Sequence, residues 1–142
     1  MPCGLHFALM RTFHAQKNRT RPGMTEIGLT PGQPKILRYL SLHTCCMQKE
    51  IAEALDIEPA TVSQVLGNMA QTGLVRKSSA PERRRAESVS ITEKGRSVCE
   101  QWQRLCDEID EISLQGFSPE ERQQFLEYLH RMYRNLTGRP LK

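Results

Sequence analysis

The sequence predicts a mainly α-helical fold with a small β-hairpin wing: a winged helix-turn-helix region joined to helices that pair two copies. Three observations carry that expectation. Two short helical stretches, Glu50–Asp56 and Pro59–Gln71, are separated by only Ile57-Glu58. Directly after them come a short strand, an arginine-rich tip Pro81-Glu82-Arg83-Arg84-Arg85, and a second strand ending Ile91-Thr92-Glu93-Lys94-Gly95. Outside this region, both flanks carry apolar residues at helical spacing. A helix that fits a major groove, followed at once by a basic hairpin that reaches the backbone or minor groove beside it, points to DNA.

The first element is a weak amphipathic helix over residues 5–19, with Leu5, Leu9 and Phe13 at four-residue spacing. It is expected to end in the basic, Pro- and Gly-containing stretch Lys17–Gly23. A clearer start follows in Thr30-Pro31-Gly32-Gln33: a threonine cap, a first-turn proline and a glutamine three residues on, a capping box. Ile36, Leu37 and Leu40 then share one face. Gly32 and Pro34 are tolerated in that first turn because its amides have no intrahelical acceptor.

His43-Thr44-Cys45-Cys46 reads as a connector. In the next helix Ile51, Ala52 and Leu55 face a core, and Asp56-Ile57-Glu58 turns the chain into Pro59. Val62, Leu66 and Met69 form the buried stripe of that helix, flanked by Val65. Gly73 stands where a helix C-terminus favours a left-handed residue. Leu74-Val75 opens the hairpin, and Val89 and Ile91 alternate in its return strand.

From Thr92 a long helix is expected, in which Val98, Trp102, Leu105, Ile109 and Ile112 step by four and three in a heptad-type seam. Gly116 ends it. Phe117-Ser118-Pro119-Glu120-Glu121 restarts the chain as a capped helix lined by Phe125, Leu129, Met132 and Leu136 and ended by Gly138. The chain divides by role into 1–28 (N-terminal dimerisation helix and linker), 29–95 (winged helix-turn-helix) and 96–142 (C-terminal dimerisation helices). The stripes at both ends, around a module that needs two-fold symmetry to read DNA tightly, favour a homodimer.

The 142 residues fit one domain and carry a net charge of +4 that is unevenly placed. Arg76, Lys77, Arg83, Arg84 and Arg85 face one acid, Glu82, whereas Asp107, Glu108, Asp110 and Glu111 cluster further on. A concentrated basic patch suits a polyanion. No apolar stretch approaches the ~20 residues of a membrane span, and Met1–Met10 is too short and interrupted for a signal peptide. A cytoplasmic protein without membrane partners is expected, its five cysteines (Cys3, Cys45, Cys46, Cys99, Cys106) reduced.

These residues resemble the MarR family of bacterial transcription regulators over roughly 29–138. Leu29-Thr30-Pro31-Gly32-Gln33-Pro34-Lys35-Ile36-Leu37 is similar to the opening helix of the family's DNA-binding domain. Glu50-Ile51-Ala52 and Pro59-Ala60-Thr61-Val62-Ser63 resemble its helix-turn-helix, and Gly73-Leu74-Val75 its first wing strand. Val89-Ser90-Ile91-Thr92-Glu93-Lys94-Gly95 resembles the return strand and the start of the dimerisation helix. The resemblance implies a homodimer, probing a palindromic operator in double-stranded DNA with two winged lobes, as a regulator that more often represses. It also implies a ligand- or oxidation-responsive cleft. The effector is of unspecified identity, and no cofactor is expected.

Carried onto this chain, the DNA-facing residues are Pro59, Ala60, Thr61, Ser63, Gln64 and Asn68, the positions left once Val62, Leu66 and Met69 turn inward. Gln64 and Asn68 suit bidentate pairing with adenine; Thr61 and Ser63 suit phosphates or base edges. None is a cation, so the wing residues Arg83, Arg84 and Arg85 must supply much of the electrostatics. Arg85 aligns with the family's wing-tip arginine. Where the family often has a bracing aspartate two residues earlier, this chain has Arg83, and Ala80 replaces another common aspartate. Glu82 and Glu87 are the acids left nearby as substitutes.

Cys45, Cys46 and His43 are the candidate redox- or ligand-sensing residues, because a thiol near a histidine or a helix N-terminus can be acidified. Cys99 and Cys106, seven apart, read as apolar filler beside the seam. His43 with Cys45 and Cys46 makes an awkward chelate, no CxxC or HxxxH spacing occurs, and His6, His14 and His130 are isolated, so no metal is expected. The chain lacks a Gly-rich phosphate loop, a GxSxG elbow and a convincing carboxylate pair, which argues against an enzyme. The alternative function is a winged-helix module that binds a protein partner, or nucleic acid without sequence preference.

Overall fold

The computed structural model describes residues 2–79 and 87–142; the expected wing tip, with Arg83, Arg84 and Arg85, lies outside the described residues. Along the chain run α1 (Leu5–Glu26), α2 (Gln33–Leu42), β1 (Cys46–Met47), α3 (Gln48–Leu55), α4 (Pro59–Gln71), β2 (Val75–Ser79), β3 (Glu87–Ile91), α5 (Glu93–Ser113) and α6 (Pro119–Thr137). The chain forms two compact units, Met1–Asp107 and Glu108–Lys142, with the division inside α5. The mainly helical fold with a small antiparallel sheet agrees with the sequence expectation.

The first unit is organised around a core to which α2, α3, α4 and the sheet all contribute. Leu37, Leu40, Ile51, Val62, Leu66, Met69 and Val89 have no measurable exposure. Burying each such side chain stabilises the unit by roughly 1.5–3 kcal/mol. The strands are ordered β1-β3-β2, so Val89 sits on the central strand, paired with Cys46 on one side and Lys77 on the other. Gln33 is the buried polar side chain of this core. Its amide oxygen accepts the Thr30 N–H at 3.0 Å and its own N–H donates to the Thr30 carbonyl at 3.1 Å.

Several local expectations need correction. The first helix does not stop near residue 19 but runs through Pro22 and Gly23 to Glu26. Proline costs one helical hydrogen bond, yet Met24 is buried in the core and tertiary packing outweighs the local penalty. Gly23 has a packing role: a Cβ built there would lie 2.6 Å from Leu105 Cδ2. α2 begins at Gln33 rather than after a Thr30 cap, because Gly32 takes the cap position with φ 90°, a left-handed conformation natural to glycine. The connector His43–Cys46 ends in a short strand, since Cys46 and Met47 pair with Val89 and Ser88. α3 starts two residues early and stops at Leu55, leaving Asp56 as a left-handed cap with φ 56°. The first half of the expected α5 seam serves this unit's own core, through buried Val98 and partly buried Trp102.

In the second unit, α6 starts with the expected capping box. Ser118 Oγ accepts the Glu121 N–H at 3.1 Å, and the Glu121 carboxylate accepts the Ser118 N–H at 2.8 Å. Gly138 closes the helix with φ 74°. Arg122 grips Glu111 with two hydrogen bonds of 2.8 and 3.2 Å, which holds the Glu111 carboxyl below its ordinary range. The apolar stripe of α6 is only partly covered: Phe125 and Leu136 are exposed, Leu129 and Met132 are half-buried, and the neighbouring Leu126 is exposed too. α1 likewise exposes Leu5, Phe7, Leu9, Met10 and Phe13. No helix among the described residues is long and apolar enough to cross a membrane.

Two glycines with close neighbours should respond oppositely to alanine. At Gly95 a Cβ would overlap the Leu74 carbonyl oxygen and approach Ile91 Cγ1 at 2.7 Å; backbone cannot step aside. Gly95→Ala is expected to destabilise the protein by about 1–3 kcal/mol, read as a lower urea midpoint. Gly23→Ala meets only the flexible end of Leu105 and gains helix propensity, so its midpoint is expected to hold or rise by up to about 1 kcal/mol.

Candidate nucleic-acid interface

The α4 helix is placed by its ends and by one apolar row. Asp56 reverses the chain after α3, with the Ile57 N–H donating to the Ala52 carbonyl at 3.0 Å. Glu58 then takes the N-cap position and Pro59 opens the helix, with no side chain capping the first turn. Its amides at Ala60 and Thr61 therefore remain suited to an anionic oxygen. Val62, Leu66 and Met69 point fully inward, which fixes the helix's rotation about its axis.

The same rotation exposes Pro59, Ala60, Thr61, Ser63, Gln64 and Asn68, all six of the residues named from sequence. Gln64 and Asn68 stand one turn apart on a shared row. Gln71, also exposed and three residues beyond Asn68, continues that row; the sequence reading passed over it, although its spacing gave the signal. The exposed face of α4 holds no lysine or arginine.

Charge enters from the hairpin. β2 and β3 pair antiparallel from Val75 with Ile91 out to Ser79 with Glu87. Val75 is buried and Arg76 exposed, the alternation of a strand lying on a core. Ser78 and Ser88 form a cross-strand rung, with their hydroxyls 2.7 Å apart and the Ser88 hydroxyl 3.1 Å from the Ser78 carbonyl. Beyond this described stem lies the segment that contains Arg83, Arg84 and Arg85. A polar helix row and a basic two-stranded ribbon thus emerge from the same core, a few residues apart in the chain.

A family model described as the MarR family matches residues 27–86, which includes all of α2, β1, α3, α4 and β2. Over these residues the chain resembles the MarR family. Among curated relatives, the HTH-type transcriptional regulator YybA of Bacillus subtilis (strain 168) is 24% identical over 111 residues, 78% of this chain and 74% of YybA. Among solved structures, the Staphylococcus aureus MepR–DNA complex matches with TM-score 0.85 and 23% identity, covering 94% of this chain and 99% of that one. The Bordetella bronchiseptica regulator BpsR, whose DNA binding is described as regulated by 6-hydroxynicotinic acid, matches with TM-score 0.81 and 24% identity over 92% and 93% of the two chains. At these identities the structures establish a shared fold.

The candidate sensing residues of this chain fall in different environments. Cys45 is exposed, whereas Cys46 is buried on β1. The His43 ring is stacked on Tyr39 with centroids 4.1 Å apart, and its Nδ1 lies 2.8 Å from the Tyr39 carbonyl. Burial, reinforced by Glu50 and Cys45, pushes the Cys46 thiol above its ordinary pKa. That is the reverse of the acidified thiol expected of a sensor. Burial and Cys46 likewise push the Tyr39 hydroxyl up. Cys99 is partly buried against the core, in keeping with an apolar role. Among the described residues no group of three His, Cys, Asp or Glu side chains is arranged to hold a metal.

A raised thiol pKa favours the neutral form in the folded protein. Its stabilising effect is present at neutral pH and is lost as pH rises through the folded-state value. Cys46 is therefore expected to be alkylated by iodoacetamide more slowly than Cys45, with its rate rising at a higher pH. Residue-resolved mass spectrometry across a pH series checks this; equal rates at the two thiols would contradict it.

Proposed function

We propose that this chain is a MarR-family regulator that acts as a homodimeric repressor on a palindromic operator and is released by a small effector. The observation that carries the reading is the rotation of α4. Val62, Leu66 and Met69 are wholly inward, and the outward row of Thr61, Gln64, Asn68 and Gln71 carries hydrogen-bonding groups suited to base edges and phosphates. In this reading the wing arginines, Arg85 foremost, add the sequence-independent attraction that the helix lacks. The uncovered apolar residues of α1 and α6 support pairing with a second copy, which would bring two α4 helices to one operator. The regulation of BpsR's DNA binding by 6-hydroxynicotinic acid supports an effector-controlled complex. For release by oxidation, the exposure of Cys45 makes it the better-placed thiol, and the burial of Cys46 works against it.

Nuclease footprinting on DNA beside the protein's own gene tests this reading, with sedimentation giving the oligomeric state. A two-fold symmetric footprint by a dimer is the expected result. Gln64→Ala and Asn68→Ala should each reduce operator affinity by about 1–3 kcal/mol while leaving the salt slope intact. Arg85→Ala should weaken every DNA and lower the slope by about one unit. Salt-labile binding with no footprint would instead support the non-specific nucleic-acid module.

A further inference from the structure

The chain passes from α4 into the hairpin and returns from it into α5 through one corner, where three successive carbonyls at the end of α4 are collected by the start of α5. Lys94 Nζ donates to the Thr72 carbonyl at 2.6 Å. The Thr92 hydroxyl donates to the Gly73 carbonyl at 2.6 Å, with the Leu74 carbonyl oxygen at 3.1 Å. The Thr92 N–H donates to that Leu74 carbonyl, also at 3.1 Å. The same Thr92 oxygen accepts the Gly95 N–H at 3.0 Å, so one side chain caps α5 and holds the end of α4. Gly95 lies too close to the Leu74 carbonyl for any larger residue.

We propose that Thr92 and Lys94 are positioning residues for DNA reading: they fix the angle between α4 and the hairpin so that both engage adjacent grooves together. The proposal rests on the DNA-binding reading above. Three features support it. α4 has no basic residue in its own last turn, and the Lys94 ammonium supplies the missing cation at the negative end of that helix from another element. The hairpin's innermost pair, Val75 with Ile91, adjoins the corner on both strands, so the corner sets the base of the hairpin as well as the end of the helix. Finally, base-edge hydrogen bonds tolerate little misalignment, whereas charge-driven contact with phosphates tolerates a great deal. A loosened corner should therefore lose specificity before it loses general affinity.

The test compares the full-length wild type, Lys94→Met, Lys94→Arg, Thr92→Val and Thr92→Ser. Each is titrated with operator DNA and with scrambled DNA of equal length over a salt series, and its thermal midpoint is recorded. Lys94 is exposed, so Lys94→Met is expected to stay folded. It should lose roughly fivefold to tenfold in operator affinity, the net scale of one ordinary hydrogen bond, with scrambled DNA and the salt slope unchanged. Lys94→Arg and Thr92→Ser should recover most of the operator affinity. If Thr92→Val unfolds, the lysine pair alone decides the matter. Equal losses on both DNAs with a slope lower by about one would make Lys94 a direct phosphate ligand and overturn the proposal. Wild-type operator affinity in Lys94→Met would overturn it as well. A wild-type protein with no operator preference would sink the function proposed above instead, a result separable from either of these.

Discussion

The inward row of α4 is the constraint on which the rest of the molecule depends. Val62, Leu66 and Met69 are wholly removed from solvent, in a core shared with Ile51, Leu37 and Val89. Rotating α4 by even a third of a turn would expose that row and put Gln64 or Asn68 in its place. Unpaired side-chain amides in an apolar core cost more than a typical hydrogen bond contributes. The outward face is therefore set by what the inward face cannot give up.

The hairpin depends on the same core through Val89, on the central strand. β1 covers one edge of β3 and β2 the other, and Val89 at the centre of that sheet is buried in the same core as the α4 row. The joint at Thr92–Gly95 adds the remaining restraint by gathering the Thr72 and Gly73 carbonyls just past the end of α4. Core packing fixes the helix's rotation, and the joint holds its end against the base of the hairpin. Reading the sequence of a duplex needs both, because side chains reach base edges only when the whole element is held in register with the groove.

Much of this was legible from residue order. The Pro59 start and Gly73 stop of α4, its outward residues, and the Ser118 capping box of α6 all follow from groups within a few positions of one another. Capping, turn and periodicity signals are local, so the chain states them directly. Misses occurred where a local signal was overruled. Pro22 signals an end to α1, but burial of Met24 carries the helix past it. Cys45 and Cys46 looked equivalent, yet one is exposed and the other buried, because only the second pairs with Val89.

The sequence by itself thus determined the element types, the helix-turn-helix, and which face of α4 turns outward, since periodicity and capping act between near neighbours. Tertiary structure alone decided the extension of α1, the existence of β1, the differing fates of the paired cysteines, and the corner that joins Lys94 to Thr72. Each of these depends on groups that meet only after the chain has folded back. A two-residue strand has no periodicity of its own, and a lysine twenty-two positions from its carbonyl partner leaves no local pattern to read.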